Sequence, residues 1–283
     1  MIFLLLSILF FGFNNVLWKK NLEQVDFLFL VSYRALFTSI LSIIIALSVT
    51  SFDTVTISIL FRVTLGSIFG VIGLLCMLSV IQKASLHWLG IYNLMGIGVT
   101  TCYLIVYENF AIKQSILGAS ILLLGFMYHI YTNSNKSLTM SLKQHVLMVV
   151  MTVSFCVSSI LHWKNLAKEI PTLVIVSNQE IVVFITTTLI FLLKNKKTIS
   201  FEPYKKHFLN VILMAGVIFL ALLFSFLGLK LTNPLISSLV FLASPLTTIV
   251  MNLVFFKEKL TLHNSIALVL LGAGAFILHY NTN

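Results

Sequence analysis

Two ionisable side chains, Arg34 and Glu180, lie deep inside long apolar stretches of the sequence. A charge inside an apolar span is costly to bury, so such residues are functional candidates by default. They occupy neighbouring positions in an internal repeat, which predicts that they pair. Glu180 could then bind a proton or the cationic group of a ligand, while Arg34 could offer two parallel donors to a carboxylate. The alternatives are a purely structural pair, or two residues that each bond to helix backbone.

Polar amides and tyrosines inside apolar stretches form a second group of candidates. Buried amides need hydrogen-bond partners, which a solvated pathway or a neighbouring helix can supply. Adjacent helical residues point about 100° apart, so neighbouring amides cannot all face one cavity. Aromatic rings could stack on an apolar or cationic ligand, or could anchor and pack the helix. The pathway candidates of these types are Asn14, Asn15, Tyr33, Tyr92, Tyr103, Asn178 and Gln179.

A mildly polar stripe and two residues at span ends complete the candidates. Within the apolar run 234–256, small polar residues recur at helical spacing, and a proline could kink the helix because it lacks a backbone donor. A kinked helix of this kind suits a gate, although small residues equally permit close packing. The candidates are Ser237, Ser244 and Asn252 for the pathway, Pro245 for the kink, and Glu108 and Glu258 for gating or connector contacts.

Membrane-spanning helices must position these residues. Of the 283 residues, 59% are hydrophobic and only 9% are charged, against about a quarter charged in soluble domains. A span needs ~20 mostly apolar residues. The candidate spans are 2–18, 27–49, 57–80, 87–107, 114–132, 145–163, 171–193, 208–230, 234–256 and 262–280. Because these runs are continuous rather than alternating, they favour helices over barrel strands. The sequence therefore predicts an all-α polytopic membrane protein with ten transmembrane helices.

The chain repeats itself at an offset that drifts from 144 to 150 residues. Residues 14–22 align with 158–166, residues 31–34 with 176–179, and residues 107–110 with 257–260. An odd number of spans in each half inverts the second half relative to the first, as in many secondary transporters. The sequence thus predicts two inverted five-helix repeats, at 1–132 and 145–283, joined by a connector at 133–144.

The ends of the two halves carry a recognisable order of motifs. The second half has Thr232-Asn233-Pro234, Ala243-Ser244-Pro245 and Lys257-Glu258-Lys259-Leu260-Thr261, followed by glycines in the last span. The first half keeps a weaker copy around Glu108-Asn109-Phe110-Ala111, without a proline near Met95. This order resembles the EamA-like branch of the drug/metabolite transporter superfamily. The resemblance implies a central cavity lined by helices 1–4 and 6–9, with peripheral helices 5 and 10 that could support a homodimer.

The resemblance also implies transport, and in particular export, of small metabolites, amino acids or drug-like compounds across the inner or plasma membrane. The expected partners are a small-molecule substrate, a coupling proton or other ion, and the lipid bilayer. The net charge of +10 does not indicate nucleic acid, because the lysines lie in short connectors, where they act as topology signals. Most of them lie in odd-numbered connectors, which would put both termini outside, whereas the resemblance puts both termini in the cytoplasm.

Two other functions stay open at this level, namely a membrane-embedded enzyme acting on lipid-linked substrates and a non-transporting scaffold. An enzyme would need a convergent acid/base or metal-binding set, and none is visible, so the sequence predicts no catalytic residue, no metal and no cofactor. Cys76, Cys102 and Cys156 read as packing residues. His162, beside Trp163 near a predicted helix end, reads as a structural histidine.

Overall fold

The computed structural model describes residues 1–22, 26–49, 55–81, 87–109, 116–133, 141–195, 207–244, 247 and 262–282. In these ranges the helices are α1 (Ile2–Leu22), α2 (Phe27–Val49), α3 (Ile57–Ile81), α4 (His87–Glu108), α5 (Ile116–Asn133), α6 (Leu142–Ala167), α7 (Thr172–Asn195), α8 (Phe208–Leu231), α9 (Pro234–Phe241) and α10 (Leu262–Thr282). These described residues contain no strand, and the predicted all-helical architecture is confirmed.

The helices coincide with the predicted spans to within a few residues at most ends. Within the described ranges, five segments are long and apolar enough to cross a membrane: Phe27–Val49, Ile57–Val80, Leu142–Ala167, Thr172–Lys194 and Phe208–Leu231. Shorter apolar segments occupy Ile2–Trp18, Met95–Glu108, Ile116–His129 and Ser265–Ile277. The ninth predicted span is described only in its first part, which contains α9. The chain is a multi-pass α-helical membrane protein.

Short polar side chains cap the N-termini of two of the long helices. Oδ1 of Asp26 accepts hydrogen bonds from the backbone N–H groups of Leu28 at 2.9 Å and Phe29 at 3.3 Å, ahead of α2. Ser141 and Gln144 form a reciprocal capping box at the start of α6. These contacts satisfy backbone donors that have no partner inside the helix, so they fix where each helix starts.

The start of α9 depends on Asn233. Its Oδ1 accepts a hydrogen bond from the backbone N–H of Ile236 at 3.0 Å, and Pro234 occupies the first helical turn. We expect Asn233→Ala to lower the free energy of unfolding by about 1 kcal/mol, because the capping acceptor is lost. Denaturant unfolding of the purified protein in detergent measures this change. Asn233→Ser keeps an acceptor and serves as the control; an equal loss in both variants would contradict the capping role.

Four extensive helix pairs join the two halves: α1 with α8, α2 with α7, α3 with α6, and α5 with α10. Each pair takes one helix from each half, so the halves are interleaved. The pairs are antiparallel. In α2 and α7, for example, Phe29 meets Phe191 with 6.2 Å between ring centroids, while Arg34 meets Glu180 further along. Successive helices run in opposite directions, so both termini lie at one end of the bundle, which we call the terminal face; the other end is the opposite face.

Individual contacts of α5 and α10 occur in matched pairs, as an inverted repeat requires. A Cβ added at Gly274 would lie 2.6 Å from the backbone N of Leu122, and a Cβ added at Gly125 would lie 3.1 Å from the backbone N of Leu271. Gly125 corresponds to Gly274 in the repeat, and Leu122 corresponds to Leu271, so the two contacts are related by the symmetry of the halves. α5 and α10 make their most extensive contacts with each other, so they lie at the periphery. A homodimer through their outer faces stays a prediction.

The pairs α1–α8 and α3–α6 are related to each other in the same way. Nδ2 of Asn210 in α8 donates to Oδ1 of Asn21 in α1 at 3.2 Å. Nδ2 of Asn165 in α6 donates to the backbone O of Arg62 in α3 at 3.5 Å. Because Asn165 is the counterpart of Asn21 in the repeat, these bonds occupy equivalent places at opposite ends of the bundle.

Small polar side chains face the interior, whereas many large apolar side chains face outward. The buried hydroxyl residues include Ser7, Ser32, Thr38, Ser42, Ser67, Thr100 and Thr187. Outward-facing residues include Leu47, Phe61, Leu193 and Leu209. This distribution suits a lipid environment, where small residues allow helices to approach and apolar side chains meet the acyl chains.

Candidate functional site

Arg34 of α2 and Glu180 of α7 form a buried ion pair between the two halves. Nη1 of Arg34 donates to Oε2 of Glu180 at 2.8 Å, and both side chains are 3% exposed. By helix rise, Arg34 lies about 10 Å from the start of α2 and Glu180 about 12 Å from the start of α7. Since the helices are antiparallel, these depths put the pair well inside the bundle. The pairing expected from sequence is present; its place on a substrate pathway stays a prediction.

The pair lies close to the axis that relates the two halves. Its members are 146 residues apart in sequence, within the offset of the repeat, so each is almost the counterpart of the other. A contact between counterparts on antiparallel helices lies at or near the pseudo-twofold axis. Ser32 donates to Oγ1 of Thr187 at 2.9 Å and continues the polar contact along the same two helices.

The guanidinium of Arg34 keeps an unused donor at Nε. Among the described residues, Nε of Arg34 has no hydrogen-bond partner. The two parallel donors expected from sequence are therefore replaced by a single bond through Nη1. A buried N–H without a partner is costly, and an acceptor from water or a ligand would satisfy it.

α3 presents two glycines to polar side chains of α6 and α7. A Cβ at Gly66 would lie 2.8 Å from Cε1 of His162. A Cβ at Gly70 would lie 3.2 Å from Oγ of Ser158 and 3.8 Å from Nε2 of Gln179. Small residues at these places let the helices approach closely. We call the contact of Gly66 and Gly70 with His162 and Ser158 the α3–α6 seam; it runs from near the terminal face towards the middle of the bundle.

The neighbouring amides of α7 have different surroundings. Asn178 bridges α7 to α3, because its Nδ2 donates to Oγ1 of Thr64 at 2.9 Å and its Oδ1 accepts from Oγ of Ser67 at 2.8 Å. In the part of the chain that the structure describes, Oε1 of Gln179 is buried without a partner. Asn178 thus joins two helices, whereas Gln179 has an acceptor available beside Glu180.

This difference predicts that two adjacent substitutions affect stability to different extents. Asn178→Ala is expected to lower the free energy of unfolding by about 1–2 kcal/mol, because two interhelical bonds are lost. Gln179→Ala is expected to change it by less than about 0.5 kcal/mol. Unfolding in detergent compares the two variants. A larger loss for Gln179→Ala than for Asn178→Ala would contradict the assignment.

The two adjacent amides of α1, Asn14 and Asn15, also have different surroundings. Asn14 is buried at 3% exposure, and its Oδ1 has no partner among the described side chains and backbone. Asn15 lies on an exposed face. The angular step of the helix therefore leaves Asn14 as the inward-facing residue of the pair.

The tyrosines of α4 and Glu108 connect α4 to α6. Oη of Tyr92 lies 2.8 Å from Nδ1 of His145. Near the other end of α4, Tyr103 donates to Oε1 of Glu108 at 3.1 Å, and Nζ of Lys164 lies 3.2 Å from the same oxygen. These contacts lie towards the two ends of α4, away from the Arg34–Glu180 pair.

The remaining candidates lie elsewhere in the bundle or outside the described residues. Tyr33 packs against Phe29 with 4.2 Å between ring centroids. Ser237 is buried in α9, and Ser244 is half-buried just beyond it. The candidates Pro245, Asn252 and Glu258 lie outside the residues that the structure describes.

Two pockets lie away from the ion pair. One, of about 150 Å³, is at the terminal face and is lined by Val55, Ile59, Lys168, Glu169, Ile170 and Pro171. The other, of about 250 Å³, is lined by Ser265, Ile266, Val269 and Leu270 of α10. Neither touches Arg34 or Glu180. With both side chains of the pair 3% exposed, the described helices are closed around Arg34 and Glu180.

The second half of the chain carries the similarity to a known family. Residues 143–280, just under half of the chain, match the model of the EamA-like transporter family. This is a family of membrane transporters of the drug/metabolite transporter type, as the order of motifs in the sequence implied. No curated protein matches the chain in sequence.

The fold of the whole chain is similar to that of a known crystal structure. The two chains superpose with a TM-score of 0.76 over 98% of this chain and 94% of the other, at 15% sequence identity. At that identity the similarity speaks for the fold alone, and it extends across both halves.

One polar residue of the bundle was not expected to be a site residue. His162 is 1% exposed, and neither ring nitrogen has a partner among the described residues. The apolar run predicted a sixth span that ends at residue 163, with His162 at the helix end. Because α6 continues to Ala167, His162 lies more than one turn inside the helix. The position of His162 in an apolar run was the feature of the sequence that could have marked it as a candidate.

Proposed function

We propose that this chain is a secondary active exporter of small metabolites, amino acids or drug-like compounds in the inner or plasma membrane. The observation that carries the proposal is the buried Arg34–Glu180 pair, which joins the halves near their pseudo-twofold axis. Ion or substrate gradients would drive the export, and no catalytic reaction is part of the proposal.

Two related seams give a physical route to alternating access. The α3–α6 seam has its counterpart in the α1–α8 contact towards the opposite face, where Nδ2 of Asn210 donates to Oδ1 of Asn21 at 3.2 Å. In an inverted repeat, opening of one seam at one face corresponds to opening of the other seam at the other face. Contacts near the axis change least in such a motion. The Arg34–Glu180 pair can therefore persist while one seam opens and the other closes.

The substrate would bind between the seams, near the ion pair. The unpartnered Nε of Arg34 supplies a donor, and Oδ1 of Asn14 and Oε1 of Gln179 supply acceptors. Buried polar groups of both kinds suit a small polar or zwitterionic molecule, which would replace water around them. The closed arrangement in the structure would then be an intermediate between the two open states.

Reconstitution into liposomes tests this function. The purified chain is assayed for saturable flux of labelled amino acids and of fluorescent cationic dyes, with and without a pH gradient. Leu193→Ala, on the outward face of α7, is the control variant and is expected to keep full flux. A correctly folded protein that moves none of these compounds would contradict the proposal.

A further inference from the structure

His162 is the most isolated buried polar side chain in the α3–α6 seam. The ring is 1% exposed, and both nitrogens lack a partner among the described residues. It fits against α3 because Gly66 has no side chain; a Cβ there would lie 2.8 Å from Cε1. On its other side the ring meets Phe226 of α8 edge to face, with 5.1 Å between centroids.

Among the described residues, no charged side chain pairs with His162. The nearest charged residues on the described parts of the helices packed against α6 are exposed at the terminal face: Arg62 on α3, Glu108 on α4 and Lys230 on α8. Lys164, on α6 itself, binds Glu108, and Lys230 binds Glu169 at 2.8 Å. The closed seam thus holds a neutral imidazole and offers nothing that would stabilise a positive one.

Glu180 differs from His162 in this respect. Its carboxylate is paired with Arg34 at 2.8 Å, so protonation of Glu180 would leave the guanidinium charge buried alone. His162 carries no such counter-charge and can gain a proton without breaking an ion pair. We propose that His162 is the proton-binding residue that opens the α3–α6 seam towards the terminal face. This assignment deepens the proposed transport function and rests on it for its role in coupling.

The mechanism follows from the two protonation states of the ring. When one ring nitrogen takes a proton from bulk water, both nitrogens become donors and the ring gains one positive charge. The residues described around the closed seam supply no acceptor, so the charged ring requires water and favours an open seam. Loss of the proton to water favours closure. With one proton linked to opening, the ratio of open to closed molecules changes by up to about tenfold per pH unit.

The seam also leads towards the substrate region. Ser158 and Gln179 lie at Gly70, about one turn along α3 from Gly66, and Gln179 precedes Glu180 in α7. An opening that starts at His162 would therefore expose Gln179 to water from the terminal face. Proton uptake and access to the ion pair would occur on the same side of the membrane.

A distance measurement without substrate tests the assignment. Spin labels are attached at Phe61→Cys on α3 and Ala167→Cys on α6, two exposed positions near the terminal face, after the native Cys76, Cys102 and Cys156 are replaced by alanine. The interspin distance is measured in nanodiscs from about pH 8 to about pH 5, the range in which histidine titrates. We expect the separation to increase as the pH falls.

Two substitutions of His162 and one control decide the result. His162→Gln keeps a polar group, and His162→Phe keeps a ring in contact with Phe226; both are expected to abolish the pH-dependent increase. His145→Gln, at the other end of α6, should leave it intact, because Tyr92 already binds that histidine. An unchanged distance in the parent protein, or an equal increase in His162→Phe, would overturn the assignment. Widening without any solute flux would instead contradict the transport function alone.

Discussion

Glu180→Gln is expected to abolish solute flux and to lower the free energy of unfolding by about 3–5 kcal/mol, because it leaves a buried charge without its partner. Arg34 would remain 3% exposed, with a neutral amide in place of the carboxylate 2.8 Å away. Arg34→Gln should have a similar effect, since it leaves the carboxylate unbalanced. Unfolding in detergent measures the stability, and liposome flux measures the activity.

Replacing both members of the pair separates stability from transport. Arg34→Met combined with Glu180→Met removes both charges, and a buried ion pair replaced by apolar residues is often neutral or stabilising. We therefore expect the double variant to be more stable than either single glutamine variant while flux stays absent. If flux returned together with stability, the pair would be structural, and the substrate site would have to lie elsewhere.

Gly274→Ala is expected to lower the free energy of unfolding by about 1–3 kcal/mol through overpacking between α5 and α10. The added Cβ would lie 2.6 Å from the backbone N of Leu122 and 3.0 Å from its Cα. Backbone atoms in a helix cannot move aside as a side-chain end can, so the two helices must separate. Unfolding in detergent measures the loss.

A second glycine of α10 provides the matched control. A Cβ at Gly272 would meet nothing within 4 Å. Gly272→Ala should therefore be neutral or stabilising by up to about 1 kcal/mol, because alanine favours the helix. Gly125→Ala, the counterpart of Gly274→Ala in α5, should be destabilising in the same way. Equal stability of the Gly272 and Gly274 variants would contradict the close packing of these helices.

The helices and the Arg34–Glu180 contact could be predicted from sequence for physical reasons. In lipid the backbone must satisfy its own hydrogen bonds, so a long apolar run has few alternatives to a helix. The repeat then made Arg34 and Glu180 near-counterparts. Counterparts on antiparallel helices meet near the axis, so two isolated charges in apolar runs had one evident way to neutralise each other.

The surroundings of single side chains could not be predicted in the same way. Asn178 and Gln179 are adjacent amides, yet only Asn178 meets hydroxyl groups, and these come from α3, more than 100 residues earlier in the chain. His162 depends on a glycine in α3 and a ring in α8. Such contacts arise when helices from different halves pack, and the hydropathy of the sequence does not predict which side chains then meet. The expected central cavity depends on which state the bundle adopts, and here the described helices are closed around the Arg34–Glu180 pair.

The interleaving of the halves also bears on how the protein is made. In each extensive pair, the helix of the first half is made before its partner in the second half. Arg34 precedes Glu180 by 146 residues. At ribosomal speeds of about 5–20 residues per second, that interval is on the order of ten seconds. During this time α2 must be held with an unbalanced charge by the insertion machinery, by lipid headgroups or by water. The first half therefore cannot complete its packing at the translocon before the second half is inserted. The two halves fold together, and neither is a finished unit to which the other is added.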